Sequence, residues 1–186
     1  MKSILIVIDR IPINYGGAER QVYNLLYNNF YGKEIQYSII TRLPDINKEF
    51  YVDLLKKNIK VFDLYKDGAS RIKRAVRLKK IIKKENIDII QSYLSGDNIL
   101  CSVAKLGVNV KHIAGCRSDY GNYAFKRSIL RKLKDYLSWL YCDRIISNNN
   151  AGVKYISGLP FTTNIFFLFM NGRPEIYFTP ALLFDI

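Results

Sequence analysis

Two hydrophobic periods alternate along this chain and leave it few possible folds. Short apolar runs bounded by turn residues recur at 4–8, 36–41, 60–62, 87–91, 110–114, 144–147 and 164–169, the pattern expected of strands. Between them, apolar residues spaced i, i+3, i+4 and i+7 predict helices over 18–30, 48–57, 70–85, 98–106, 125–140 and 151–157. Most of the strands are apolar along their whole length, so both of their faces must be covered. Parallel neighbours, in turn, need a crossover helix between them. The expected fold is therefore a doubly wound α/β domain with a mostly parallel sheet and helices on both faces. Ligands of such sheets bind outside the carboxyl ends of the strands, where the strand order reverses. That rule selects the loops 9–17, 64–69, 92–97, 115–123 and 148–150.

A length of 186 residues suits one domain, or one domain and a fragment of another. The three cysteines, Cys101, Cys116 and Cys142, are far apart, and His112 is the lone histidine. No metal-ligand spacing or disulfide framework is present, so no metal is expected and a reducing compartment is. The apolar runs 4–8 and 165–170 are too short for a signal peptide core or a membrane span. A cytoplasmic protein is expected, held peripherally on the inner face of the membrane if its charge finds a use there. That charge is large: 29 Lys and Arg stand against 16 Asp and Glu, a formal net charge of +13. Such an excess must face something anionic or carry a cost in self-repulsion.

The first strand runs into Asp9-Arg10-Ile11-Pro12-Ile13-Asn14-Tyr15-Gly16-Gly17-Ala18-Glu19-Arg20. Two glycines allow backbone N–H groups to approach a ligand closely. The helix that starts there adds unpaired N–H donors and a partial positive charge, and the whole forms an anion site. A tight turn in which glycine only relieves a positive φ is the alternative. Neither standard nucleotide motif fits. A dinucleotide site wants a third glycine and an acid after the second strand, which ends Ile40-Thr41-Arg42, and the Gly-Lys-Ser/Thr of a P-loop is absent.

Gly16-Gly17-Ala18-Glu19-Arg20, followed by Val22, Leu25 and Leu26, resembles the signature that opens the first helix of glycosyltransferase family 4. These are retaining enzymes of the GT-B architecture. Further resemblances occur in the same order: Ile87-Asp88-Ile89-Ile90-Gln91-Ser92, then Cys142-Asp143-Arg144-Ile145-Ile146-Ser147-Asn148, then Gly158-Leu159-Pro160 through Asn171-Gly172, with Phe178 at the family's spacing. Two departures are Tyr93, where the family often has histidine, and Arg173-Pro174 after Asn171-Gly172. The resemblance implies a Rossmann-like N-terminal domain over 1–170, with 171–186 as the start of a linker. It implies that this domain holds mainly the acceptor, while a second domain with a Glu-x7-Glu motif binds a nucleotide-sugar donor, a UDP- or GDP-sugar. Without that domain the chain is expected to be inactive alone, so no catalytic residue is assigned and no cofactor beyond the donor substrate is expected.

The resemblance places Gly16 and Gly17 against the donor phosphates, a helix N-terminus contributing about 0.3–1 kcal/mol at an exposed site. Glu19 and Arg20 are cleft candidates, although Glu19 can equally complement the helix dipole and Arg20 pair locally. Tyr93, Arg117 and Asp119, with Ser118, are candidates on two rim loops; a solvated loop accounts for the latter three as well. Asp97 is read as a rim residue or a cap of the following helix, His112 as a packed histidine in a strand, and Asn148 to Asn150 as a strand end and helix cap.

The basic residues cluster on two helices. Eight of the fourteen residues in 71–84 are cationic: Arg71, Lys73, Arg74, Arg77, Lys79, Lys80, Lys83 and Lys84, with Ile72, Val76, Leu78 and Ile81-Ile82 as the packing stripe. The second cluster is Lys126, Arg127, Arg131, Lys132 and Lys134, interleaved with Phe125, Tyr136, Leu137 and Trp139. Near an anionic leaflet each Lys or Arg contributes about 1 kcal/mol, and the family's lipid-linked acceptors would make membrane docking useful. Solvated helix faces are the plain alternative. Nucleic acid competes for the same charge, but no helix-turn-helix, RRM, KH or zinc module appears, and it is not expected. The resemblance thus implies the acceptor-side half of a glycosyltransferase of surface polysaccharide assembly, with a chain supplying the donor domain as partner. The other reading is a non-catalytic module that docks on membranes or on a partner protein.

Overall fold

The computed structural model describes residues 1–12, 16–28, 34–116, 129–147 and 149–158. Within them lie six strands, β1 (Lys2–Val7), β2 (Ile35–Ile40), β3 (Lys60–Phe62), β4 (Ile89–Ser92), β5 (Lys111–Cys116) and β6 (Arg144–Ser147). The helices are α1 (Gly17–Asn28), α2 (Lys48–Lys56), α3 (Arg71–Lys84), α4 (Ser95–Lys105), α5 (Ile129–Trp139) and α6 (Asn150–Ser157). The strands form one sheet in the order β3-β2-β1-β4-β5-β6, parallel throughout. The doubly wound expectation holds, and the strand order reverses between β1 and β4. The expected strand at 164–169 lies outside the described residues.

Alternation along the strands divides the core. Ile4, Ile6 and Ile8 face α1 and α2, where Val22, Leu25, Leu26, Phe50 and Leu54 cover them. Leu5 and Val7 point the other way, into a second layer built from Leu78 and Ile82 of α3 and Cys101 and Ala104 of α4. Trp139 of α5 and Ile156 of α6 join Ala114 and Ile145 in a third cluster. Each buried branched side chain contributes roughly 1.5–3 kcal/mol relative to exposure, so the two-sided sheet is the main source of stability.

Caps set several helix starts. Asn47 accepts from the Phe50 N–H at 2.9 Å, Ser70 from Lys73 at 3.4 Å and Asn149 from Gly152 at 2.6 Å, each such cap contributing about 1 kcal/mol. The capping role expected of the 148–150 segment thus falls to Asn149; Asn148 lies outside the described residues.

Two expectations are corrected. The packing stripe of α3 is Ala75, Leu78 and Ile82, whereas Ile72 is 78% exposed and Val76 49% exposed. The i, i+3, i+7 spacing puts the first three on one line, and Ile72 and Val76 flank it. Helix α4 begins at Ser95, three residues before the expected start at 98, and Leu94 at its N-cap position gives no side-chain cap, so Asp97 lies in its first turn rather than at its cap.

Candidate functional site

Four neighbouring strands deliver one polar residue each to the carboxyl edge of the sheet or to the helix just after it. In sheet order these are Tyr65 after β3, Arg42 after β2, Asp9 after β1 and Asp97 in the first turn of α4 after β4. The β1 and β2 exits are tied together: the Arg42 N–H donates to the Asp9 carbonyl at 2.9 Å, the Asn47 N–H to the Ile11 carbonyl at 2.8 Å, and Ile11 and Ile46 form a parallel bridge. The Arg42 guanidinium then reaches the Asp9 carboxylate at 3.1 Å and Asp45 at 3.4 Å. Across the switch point, the Asp9 N–H donates to Asp97 Oδ2 at 3.3 Å.

Tyr65 closes the cluster. Two guanidinium groups lie over its ring, Arg42 at 4.6 Å and Arg74 at 4.8 Å from the centroid, as cation–π contacts. Its side chain interacts electrostatically with the carboxylates of Asp9 and Asp97. Burial, followed by the charges of Asp97 and Asp9, pushes the phenol well above its ordinary value. Asp97 is buried, and burial together with the Asp9 charge raises its pKa to about 7, against the opposing hydrogen bond from the Asp9 N–H and the interaction with Tyr65. Near neutrality this carboxyl can therefore hold or release a proton.

A cavity of about 550 Å³ opens from this cluster between α3 and α4, within the range of small-molecule sites. Asp9, Arg42, Tyr65, Arg74 and Asp97 form one end; Ile72, Val76, Leu100 and Val103 are among its apolar walls, and Arg71, Lys79 and Lys134 stand around it. The Arg74 Nε is buried with no hydrogen-bond partner.

A second polar network is closed to solvent. The Ser92 hydroxyl donates to Asn98 Oδ1 at 2.6 Å and lies 2.7 Å from His112 Nε2, and Asn98 Nδ2 donates to the Gly115 carbonyl at 3.1 Å. Because the one hydroxyl proton goes to Asn98, Nε2 must carry the histidine proton. Burial, then the Lys105 charge, lowers the His112 pKa to about 3. This histidine is neutral and packed, as the sequence suggests, and is no acid or base at neutral pH.

The sequence-derived candidates separate in space. Gly16 and Gly17 begin α1, on the opposite sheet face from the cavity. Gly17 has no positive φ, which removes the turn-relief reading at that position. Gly16 instead leaves room for Glu19, whose Oε2 would lie 2.5 Å from a Cβ at that position, while a Cβ on Gly17 meets open space. Glu19 thus folds back over its own helix terminus, and Arg20 is exposed. Tyr93 is 1% exposed, and its hydroxyl accepts from Gln91 Nε2 at 2.7 Å; the strand's alternation turns it into the α1 side of the core rather than onto a rim. Arg117, Ser118, Asp119, Lys126 and Arg127 lie outside the described residues.

On α3, Arg71, Lys73, Lys80, Lys83 and Lys84 are exposed. Arg77 turns instead to the β3–α3 loop, donating to the Lys66 carbonyl at 2.9 Å, and Lys79 Nζ donates to the Leu106 carbonyl at 2.5 Å. Arg131 falls within α5. The row of Asp9, Arg42 and Tyr65 is not legible in the sequence: the rule about carboxyl ends selects the loops of Asp9 and Tyr65 but not that of Arg42, and only the strand order shows which loops are adjacent.

The family model for Glycosyltransferase Family 4 matches residues 15–165. A curated relative from Campylobacter jejuni, GalNAc-alpha-(1->4)-GalNAc-alpha-(1->3)-diNAcBac-PP-undecaprenol alpha-1,4-N-acetyl-D-galactosaminyltransferase, is 32% identical over 141 residues, which are 72% of this chain and 37% of the relative. Among solved structures, the fold is similar to that of Anabaena Alr3699/HepE in complex with UDP and glucose, at a TM-score of 0.64 and 13% identity, over 91% of this chain and 44% of that one. A glycosyltransferase from Rickettsia africae gives a TM-score of 0.61 and 16% identity, over 99% of this chain and 48% of its own. The chain spans less than half the length of these proteins, and its fold corresponds to one Rossmann-like half of a GT-B architecture.

Proposed function

The chain belongs to glycosyltransferase family 4, and from that premise we propose that it is the acceptor-side domain of a retaining enzyme that glycosylates a lipid-linked acceptor in surface polysaccharide assembly. The donor is a nucleotide-diphosphate sugar of the UDP or GDP type, held by a second domain, with Gly16 and Gly17 facing its phosphates across the cleft. Fixed dipoles and cations would stabilise the leaving diphosphate. The lipid-linked acceptor named for the Campylobacter relative supports the acceptor class.

The observation that carries this reading is the composition of one helical layer. Helices α3, α4 and α5 lie side by side on one face of the sheet. That layer exposes Ile72, Val76, Val103, Leu130 and Leu133 together with Arg71, Lys73, Lys80, Lys83, Lys84 and Lys134. Apolar side chains among cations match the chemistry of an anionic membrane surface, where charge attracts and apolar groups insert. Among the described residues no helix is long and apolar enough to cross a membrane, so contact through this face is peripheral. Reversing Lys73, Lys80, Lys83 and Lys84 to glutamate should abolish sedimentation with vesicles containing phosphatidylglycerol. Undiminished sedimentation would defeat the membrane-facing assignment.

A further inference from the structure

The cavity between α3 and α4 differs from the outer face of the same layer in being recessed and in ending on a polar cluster. Its apolar wall includes side chains that water otherwise reaches: Ile72, Val76 and Val103, the last 51% exposed. Such a slot is poorly suited to a flat bilayer surface and well suited to a single chain.

The charges around it say what the chain must carry. Five cations line the cavity against Asp9 and Asp97. Arg42 is engaged by Asp9 and Asp45, and Lys79 by the Leu106 carbonyl. Arg71, Arg74 and Lys134 are left, and the buried Arg74 Nε has no hydrogen-bond partner. A buried donor without a partner carries a desolvation cost that an anionic oxygen would remove.

We propose that this cavity takes up a single isoprenoid chain bearing a phosphate or diphosphate, with its apolar units between α3 and α4 and its anionic head on Arg74, Arg71 and Lys134. The inference rests on the lipid-linked acceptor reading and deepens it: the first part of the lipid is drawn out of the bilayer and gripped by the protein. A cation–π contact with the Tyr65 ring, 4.8 Å from the centroid, helps to hold the Arg74 guanidinium in place.

The test is direct binding of farnesyl phosphate, kept below its aggregation concentration, to the 186-residue chain by calorimetry, with farnesol and inorganic phosphate as comparison probes. Farnesyl phosphate should bind at least about tenfold more tightly than either, since each probe lacks one half of the match. Val103→Trp and Val76→Trp fill the slot at half-exposed positions without changing charge. They should weaken farnesyl phosphate by about tenfold or more while leaving inorganic phosphate binding and thermal stability unchanged. Arg74→Gln should weaken farnesyl phosphate and leave farnesol unaffected. Farnesyl phosphate binding no better than phosphate, or undiminished in both tryptophan variants, would overturn the cavity assignment. Vesicle binding that persists in that case would leave the membrane reading standing, so the two fail separately.

Discussion

The backbone N–H of Asp9 donates to the carboxylate of Asp97 at 3.3 Å, joining the carboxyl ends of β1 and β4, the strands between which the sheet order reverses. The bond ties a loop that leaves the sheet on the α1 side to a helix on the α3–α4 side. It also buries a carboxyl whose pKa is raised to about 7 by burial and by the Asp9 charge.

That raised value gives a signed prediction. An unfolded aspartate titrates near 3.9, so between about pH 4 and 7 the folded state binds more protons than the unfolded one. Stability from this group is therefore full below about pH 4 and falls as pH rises to 7, by up to about 1.4 kcal/mol per pH unit. Asp97→Asn should remove this falling limb in urea unfolding followed from pH 5 to 8. A variant whose slope matches the parent would show that Asp97 is ionised throughout.

His112 acts with the opposite sign. Its folded pKa of about 3 lies below the unfolded value of 6.5, so the unfolded state binds more protons between those limits. Stability is full above about pH 6.5 and is lost as pH falls towards 3. In Asp97→Asn the His112 limb stands alone, and stability should rise from pH 4 to 6.5 and then level. Replacing His112 by Asn in that background should flatten it.

The Ser92, Asn98 and Gly115 contacts predict a sensitive spot with no part in binding. A Cβ on Gly115 would lie 2.9 Å from the Ser92 carbonyl oxygen and 3.1 Å from the Tyr93 Cα, both backbone atoms. Gly115→Ala should lower the urea midpoint by about 1–3 kcal/mol in stability with an unchanged m-value. Asn98→Ala strands the Gly115 carbonyl and should cost about the same.

Gly17 predicts the reverse. It is the first residue of α1, and a Cβ there meets open space. Gly17→Ala should leave stability unchanged or raise it by about 0.4–1 kcal/mol. A marked loss in a thermal melt would mean that the glycine is there for the fold and not for a ligand.

The fold was legible because each strand carries its own signal. Apolar runs such as Ile4 to Ile8 need cover on both sides, and the alternation of β and α segments leaves few architectures. The buried role of His112 and the cap at Asn149 were also legible, since both follow from local position. Tyr93 and Ile72 were not. Side-chain direction depends on the register of a strand whose last residue shifted, and on which flank of α3 meets α4. The Tyr65–Arg42–Asp9–Asp97 row was hidden for a different reason. Its members are spread over 9–97 and become neighbours only through the order β3-β2-β1-β4.

On the proposed function, this domain recognises the acceptor and leaves the donor to another domain. The most direct measurement is equilibrium binding of the 186-residue chain to nanodiscs, with and without a polyprenyl-diphosphate-linked saccharide, alongside titration with UDP- and GDP-sugars. The expected result is tighter binding to the loaded nanodiscs and none to the free nucleotide sugars. Equal binding to loaded and empty nanodiscs, together with saturable binding of a nucleotide sugar, would contradict it.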